Sequence, residues 1–469
     1  MKDLTALSVA WDAWRVTRGG AALIAARQRT RLARLVAHAR VRSHFYAEHF
    51  RAAPSRIRDI RDLPPTTKSQ LMARFDDWVT DPEVTRARVE AFVADSGNVG
   101  TDFLDRYVVF TTSGSTGEPA LLVQDRRALA VMTGLASSRG LALVSASVVW
   151  RTLRGGGRQA SVFATGGHFV SNTMVERRRR ALWLRRRLSR FFSVLTPLPE
   201  IVRELNEFQP ALLGMYPSML EILADEQLAG RLHIQPAMVL GGGEWLAPAT
   251  RERIGRAFGC PVYESYAASE ALPLALPCRI GHMHVNADWF ILEPVDAERR
   301  PVPPGERSHS VLVTNLANYV QPIIRYELGD SVILGANRCA CGSPLPTIQV
   351  EGRTDEILSF AALNGDTISL PPMALATVVE ESPGVRRFQV IQTTPTTLTV
   401  RLENEPEADR DTDWNTASHR VTDLLGQHGL TNVRLELSPK LPQLTPHSGK
   451  LRHVWSEVPR EQTDSRSGR

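Results

Sequence analysis

The reading of the fold turns on Thr111-Thr112-Ser113-Gly114-Ser115-Thr116-Gly117-Glu118-Pro119, which follows the strand-like run Tyr107-Val108-Val109-Phe110. A strand that empties into a loop dense in Ser, Thr and Gly suits a phosphate. Glycines let the backbone approach the anion, and N–H and hydroxyl groups supply donors. The loop is not the usual P-loop, because the Gly-x-x-x-x-Gly-Lys-Ser/Thr pattern is absent and Glu118 stands where a lysine is expected. A cation must therefore come from elsewhere, and Lys450 in Ser448-Gly449-Lys450 is the candidate. Read alone, the same stretch is equally a polar surface loop.

Outward from this loop, short apolar runs alternate with helical stretches and glycine-rich turns from about residue 107 to 355. That alternation predicts α/β layers, with β-sheets flanked by helices. Residues 5–50 carry apolar positions at helical spacing, and Asp62-Leu63-Pro64-Pro65-Thr66-Thr67-Lys68 reads as a turn before another helix. From 356 to 459 the pattern predicts a smaller α+β domain. Its strands are Phe388–Ile391, Leu398–Leu402 and Val433–Leu437, with a helix over 414–427. The polar end, 460–469, is expected to be a disordered tail. Residues 176–192 hold two arginine runs and an apolar stripe at Ala181, Leu184, Leu188 and Phe191. This predicts an amphipathic helix with a basic outer face, either solvated or docking an anion.

Composition sets the outer bounds. At 469 residues and 52.0 kDa the chain is long enough for two domains. Its net charge of +6 is modest for that length and gives no case for nucleic acid. No apolar run approaches the roughly 20 residues that span a bilayer. The start, Met1-Lys2-Asp3, is soon interrupted by Asp12, Arg15 and Arg18, so no secretory signal or membrane association is expected and the cytoplasm is the expected location. Four cysteines do not make a disulfide framework.

Several further stretches carry chemistry. Gly241-Gly242-Gly243-Glu244 ends an apolar run, where a backbone edge can approach a flat base or simply turn. In Tyr263-Glu264-Ser265-Tyr266-Ala267-Ala268-Ser269-Glu270, Tyr266 is placed to stack on a ring and Glu270 to hold Mg²⁺, a hard cation suited to carboxylates and phosphates. Glu270 at the start of a helix is the plain structural alternative. Asp330 follows a glycine turn, where a carboxylate can accept both hydroxyls of a ribose. Gly352-Arg353-Thr354-Asp355 offers an arginine and a hinge-like acid. Cys278, His284 and the pair Cys339 and Cys341 suit tetrahedral Zn²⁺, with His282 as a rival ligand and Cys260 left as a small buried residue. Unliganded thiols are the alternative.

Taken together, and in this order, these residues resemble the adenylate-forming superfamily of acyl- and aryl-coenzyme A synthetases, adenylation domains and luciferases. The closer resemblance is to the phenylacetate–coenzyme A ligase family and its relatives, some of which carry a zinc set of this kind. It covers almost the whole chain and includes Leu32 to Arg51, Leu63 to Lys68 and Pro301 to Asp330. The resemblance implies a large N-terminal domain, 1–355, and a small mobile one, 356–459. Thr112, Ser113, Gly114, Ser115, Thr116 and Gly117 would grip the ATP phosphates, and Gly242, Gly243 and Glu244 would border the adenine. Tyr266, Ser269 and Glu270 match the aromatic, phosphate-contacting and Mg²⁺ positions. Asp330 and Arg353 match the ribose contacts, Asp355 the hinge and Lys450 the lysine that completes the site. Phe163, Thr165, Gly166, His168, Tyr216 and Ala267 lie in segments that line the acyl pocket, and their mixture suggests an aromatic or medium-sized acid.

Two departures qualify the match. Ala267 stands where glycine is usual, and Leu358 to Asp366 lacks the glycine-bearing strand of many coenzyme A ligases. The expected activity is ATP-dependent, AMP-forming activation of a carboxylate, then transfer to coenzyme A. Alternatives are a non-thiol acceptor (amide synthesis, or activation of another oxyanion such as nitrite) and a silent nucleotide-binding protein. A homodimer is the expected assembly by resemblance.

Overall fold

The computed structural model describes residues 4–112, 120–140, 145–165, 167–181, 187–244, 246–350, 358–370, 372–405, 409–443 and 452–458. Among the sequence-derived site residues, Ser113, Gly114, Ser115, Thr116, Gly117, Gly166, Arg353, Asp355 and Lys450 lie outside them.

The strands that position the site are β1 (Val108–Thr111), β2 (Leu121–Gln124), β3 (Gln159–Phe163), β4 (Ser189–Ser193), β5 (Leu212–Met215), β6 (Met238–Gly242), β7 (Val262–Ala268), β8 (Ala271–Pro277) and β9 (Met283–Val285). They continue with β10 (Phe290–Val295), β11 (Ser310–Asn315), β12 (Ile323–Glu327), β13 (Val332–Leu334) and β14 (Thr347–Val350). Among the described residues the largest sheet has nine strands, ordered β13-β14-β9-β8-β7-β6-β5-β3-β4. Its β4-β3-β5-β6-β7 half is parallel, with helices as crossovers. The other half is antiparallel. β10, β11 and β12 form an antiparallel sheet of their own, and β1 pairs with β2. This is the α/β layering that the alternating sequence predicts.

One expectation is corrected. The helix foreseen over 176–192 is helical at the described residues 176–181 and 187–188, but its end is not: Ser189–Ser193 is strand β4, paired in parallel with β3. Phe191 and Phe192 therefore obey a period of two, not of 3.6, with Phe192 buried. At Phe191 the parallel partner β3 outweighed the helical spacing of the apolar stripe.

The N-terminal stretch folds as the helix Ala6–Arg42, kinked at Gly20 (φ +77°). Its Val9 packs against the helix Arg126–Gly140 at Gly134, where an added Cβ would lie 2.6 Å from Val9 Cβ. Arg31 of this helix donates to the Asp288 carbonyl and pairs with Asp12 at 2.6 Å, and its guanidinium covers the Trp289 ring. Further on, Tyr46 Oη and Trp78 Nε1 both donate to the Pro322 carbonyl, at 3.0 and 2.6 Å. The early chain is thus fastened to residues near 288 and 322.

Residues from Leu358 onward build a hairpin, Leu358–Ala361 with Thr367–Leu370, and a four-stranded sheet that includes Val385–Thr394 and Thr397–Asn404. The helices Pro372–Glu380 and Arg410–Gln427 pack in the same region. No helix among the described residues is long and apolar enough to cross a membrane.

Candidate active site

Parallel strands in an α/β sheet present their C-terminal ends as a crevice for ligands. Here that edge carries Phe163 at the end of β3, Tyr216 just after β5, Gly242 to Glu244 after β6, and Tyr266 to Ala268 at the end of β7. β7 runs parallel to β6 through Ser265 and antiparallel to β8 from Tyr266. Tyr266 thus sits where the sheet changes direction.

The turn after β6 is built around a close contact. Gly243 has φ +87°, and a Cβ there would meet Tyr216 Cε1 at 2.9 Å, so glycine alone lets the ring lie against the turn. Tyr216 meets Phe163 edge-on at 5.0 Å, and Thr165 Oγ1 donates to Ser193 Oγ at 2.6 Å. Glu244 accepts from the Ser218 N–H at 2.8 Å and the Ser218 hydroxyl at 3.0 Å. Its carboxylate therefore caps the N-terminus of the helix Pro217–Leu228, where negative charge is favoured. That role is structural, and sequence reading gave no sign of it.

Two tyrosine–carboxylate pairs occupy the neighbouring edge. Tyr266 Oη donates to Asp330 Oδ2 at 2.7 Å, and Tyr326 Oη donates to Glu270 Oε1 at 3.1 Å. Both phenols are pushed well up by burial, with the carboxylates adding to the effect, so they stay protonated and act as donors. Glu270 is 7% exposed, in the tight turn between β7 and β8 and not on a helix. Burial raises its pKa, against the pull of its backbone N–H, of Tyr326 and of the Lys68 charge. A buried carboxyl held against its ionisation preference is suited to a divalent cation. Ser269 is part-buried in the same turn, its carbonyl accepting from Gln124 Nε2 at 3.4 Å, while Ala267 is exposed.

Lys68 is the residue that sequence reading left out. It begins the helix Lys68–Ala73, directly after a segment locked to β12. The Thr66 N–H donates to Arg325 O, Thr66 Oγ1 donates to Ile324 O, and the Glu327 N–H donates to Thr66 O. The only signal was Pro-Pro-Thr-Thr-Lys, and nothing in it tells which strand the turn will join.

The neck of the Ser/Gly loop is closed by Thr112, whose hydroxyl accepts from the Ala120 N–H at 2.9 Å and whose N–H donates to Ala120 O. His168 lies below it. Its carbonyl accepts from the Thr111 N–H, while its ring is buried at 5.3 Å from Phe92 and its pKa is lowered by that burial. His168 is thus packed under β1.

The cysteine–histidine set does converge. Single ligand atoms of Cys278, His284, Cys339 and Cys341 all lie within 4.8 Å of one another. Cys278 Sγ and Cys339 Sγ are 4.0 Å apart, and Cys341 Sγ lies 3.4 Å from His284 Nε2. With Zn–S about 2.3 Å and Zn–N about 2.0 Å, a tetrahedron has edges of about 3.8 and 3.5 Å, so the spacing fits. His284 Nδ1 bonds the Leu345 carbonyl at 2.8 Å, which leaves the Nε2 lone pair facing the thiols. His282 Nδ1 is 3.4 Å from Cys339 Sγ and remains beside the set. The donors thus fit a soft tetrahedral ion.

Comparison with known proteins gives a likeness of fold. No family model matches the chain. It is 24% identical over 266 residues to Protein CapK of Staphylococcus aureus, 55% of each chain. It is 22% identical over 215 residues to the mitochondrial acyl-coenzyme A synthetase ACSM5 of Homo sapiens, 44% of this chain and 34% of that protein. The chain thus spans about half of the first relative and a third of the second. In three dimensions it is similar to 2-hydroxyisobutyryl-CoA ligase bound to 2-HIB-AMP and CoA in the thioesterification state. The TM-score is 0.55 at 21% identity, covering 92% of this chain and 89% of that one. The same ligase in its postadenylation state gives 0.52 over the same shares. The chain shares the fold of this ligase.

Proposed function

We propose that this chain is an ATP-dependent, AMP-forming ligase that activates a carboxylic acid, aromatic in our reading, as an acyl adenylate and then passes the acyl group to coenzyme A. The observation that carries this is the pairing of Tyr266 of β7 with Asp330 and of Tyr326 of β12 with Glu270. A ribose-type acceptor and a cation-type carboxylate are thereby held next to each other, near the turn at Gly242 to Glu244.

In this reading the substrate carboxylate attacks the α-phosphate in line and pyrophosphate leaves. Asp330, steadied by Tyr266, orients the ribose, and the Thr112-to-Gly117 loop with Ser269 holds phosphate oxygens. Phe163, Thr165, Gly166, Tyr216 and Ala267 shape the acyl pocket. Lys68 and Lys450 supply positive charge where negative charge develops, the usual dominant contribution to phosphate chemistry. Glu270 would hold Mg²⁺, which when bound neutralises phosphate oxygens. Residues 1–355 and 356–459 act as two domains, with Arg353 near the ribose. Rotation about Asp355 withdraws Lys450 and admits the thiol. Cys278, His284, Cys339 and Cys341 would hold a structural Zn²⁺ that clips the 339–343 loop to β9. A cytoplasmic homodimer that binds neither nucleic acid nor membrane completes the proposal.

A second reading keeps the adenylate and changes the acceptor to an amine or another nucleophile. It is favoured by the strand Leu358–Ala361, which has no glycine. Both are tested by pyrophosphate release with a panel of aryl and aliphatic acids, with and without coenzyme A, in wild type and Lys450→Ala. Acid-dependent release that yields a thioester and is lost in the variant supports the ligase. Release indifferent to coenzyme A supports the second reading, and no release with any acid removes both.

A further inference from the structure

We propose that the chain carries a second small-molecule site, apart from the adenylation cleft, that takes a small organic monocarboxylate. The site is a cavity of about 270 Å³ between the N-terminal helix, the end of the helix Arg126–Gly140, the end of β8 and the 341–345 loop. β8 separates it from Glu270. Seven residues at about 3.3 Å each put the two ends of that strand roughly 20 Å apart.

The lining fits an acid with an apolar body. Arg139 and Arg279 supply two guanidinium groups, Leu276 and Leu345 supply apolar wall, and Thr17 adds a hydroxyl. No carboxylate lines it. Arg139 is 8% exposed, and two of its nitrogens are engaged by Asn286 at 2.6 Å and Asp288 at 2.8 Å. Its Nε is buried without a hydrogen-bond partner among the described residues. Arg279 is exposed and has no ion-pair or hydrogen-bond partner among the described residues.

Charge balance permits a single anion. Cys278, His284 and Cys341 form the far wall, and with a third thiolate and Zn²⁺ their unit would carry one negative charge. Among the lining residues, Arg139 and Arg279 set two positive charges against it. The local balance is one positive charge, which suits a monocarboxylate better than a phosphate. At about 270 Å³ the space is just below the usual range for ligand pockets, so the body must be small, of benzoate size.

The test uses 4-iodobenzoate on the full chain without ATP, by crystal soaking and by equilibrium dialysis. The expected result is an iodine peak in the cavity. In dialysis, Arg279→Ala should weaken binding there about tenfold, the loss of one charge-assisted contact. Thr17→Phe should abolish it by filling the space, and 4-iodobenzamide should bind more weakly than the acid. Thermal melts of both variants report folding. Iodine found only beside Phe163 and Tyr216, or cavity binding unmoved by both variants, overturns the proposal. Pyrophosphate release is not the readout, so failure here leaves the ligase reading untouched.

Discussion

Burial governs Glu270. Its carboxyl has a raised pKa, so between the ordinary value of 4.5 and that raised one the folded chain holds more of the proton than the unfolded chain does. Stability without metal therefore falls as pH rises through that window. Glu270→Gln is expected to flatten this slope and to be the more stable protein above it, while losing about 10²-fold or more in Mg²⁺-dependent pyrophosphate release. Melting curves across pH in chelator, beside activity titrations in Mg²⁺, check both halves. Tyr266→Phe removes a donor to the Asp330 carboxylate, a contact worth about 1.5–3 kcal/mol, and should lower stability by up to that amount and kcat/KM for ATP about 10- to 100-fold. An unchanged kcat/KM would show that this pair does not orient ATP. At this scale the sequence singled out Asp330 and Glu270, and the structure sets each carboxylate against a tyrosine hydroxyl. The sequence was silent where position decides: Glu244 caps a helix 26 residues upstream, and Lys68 faces Glu270 only because Thr66 is bonded to β12.

Two elements carry predictions. The helices Ala6–Arg42 and Arg126–Gly140 are in close contact at Gly134, so Gly134→Val must displace Val9 or the backbone. The expected cost is about 1–3 kcal/mol, read as a lowered Tm with the chemistry of any surviving fold intact. The 339–343 loop should depend on metal. Purified protein is expected to hold about one zinc per chain, and Cys339→Ser should lose it and melt several degrees lower. Adenylate formation should persist in that variant, because the cluster lies at the far end of β8 from Glu270. Metal analysis that finds none rules the centre out. The strands β1 and Val385–Thr394 were readable from their apolar, β-branched runs. β4 was not, because its five residues directly follow a basic helical stretch, and only β3 beside it decides.

For the whole molecule, order of motifs was the legible quantity. Each was weak, yet their order along 469 residues implied the α/β layering now seen, in which residues 266 and 330 come into contact. Lys450→Ala is the prediction at this scale. It should cut adenylate formation by about 10²–10³-fold, the usual size for one donor aimed at developing charge. Thioester formation from a supplied acyl adenylate should change far less. Equal losses in both half-reactions would argue against a cation that leaves after the first.

The two bonds to the Pro322 carbonyl have a consequence in time. Trp78 waits for a partner 244 residues later and Tyr46 for one 276 residues later. At about 5–20 residues per second, a ribosome needs roughly 12–55 s to deliver it. Through that interval two large aromatic side chains stay without their final seat. Stalled nascent chains ending before Pro322 should be cut readily near residues 46–78 and be protected there once the stretch through Glu327 has emerged. The N-terminal helices are made early and finished late.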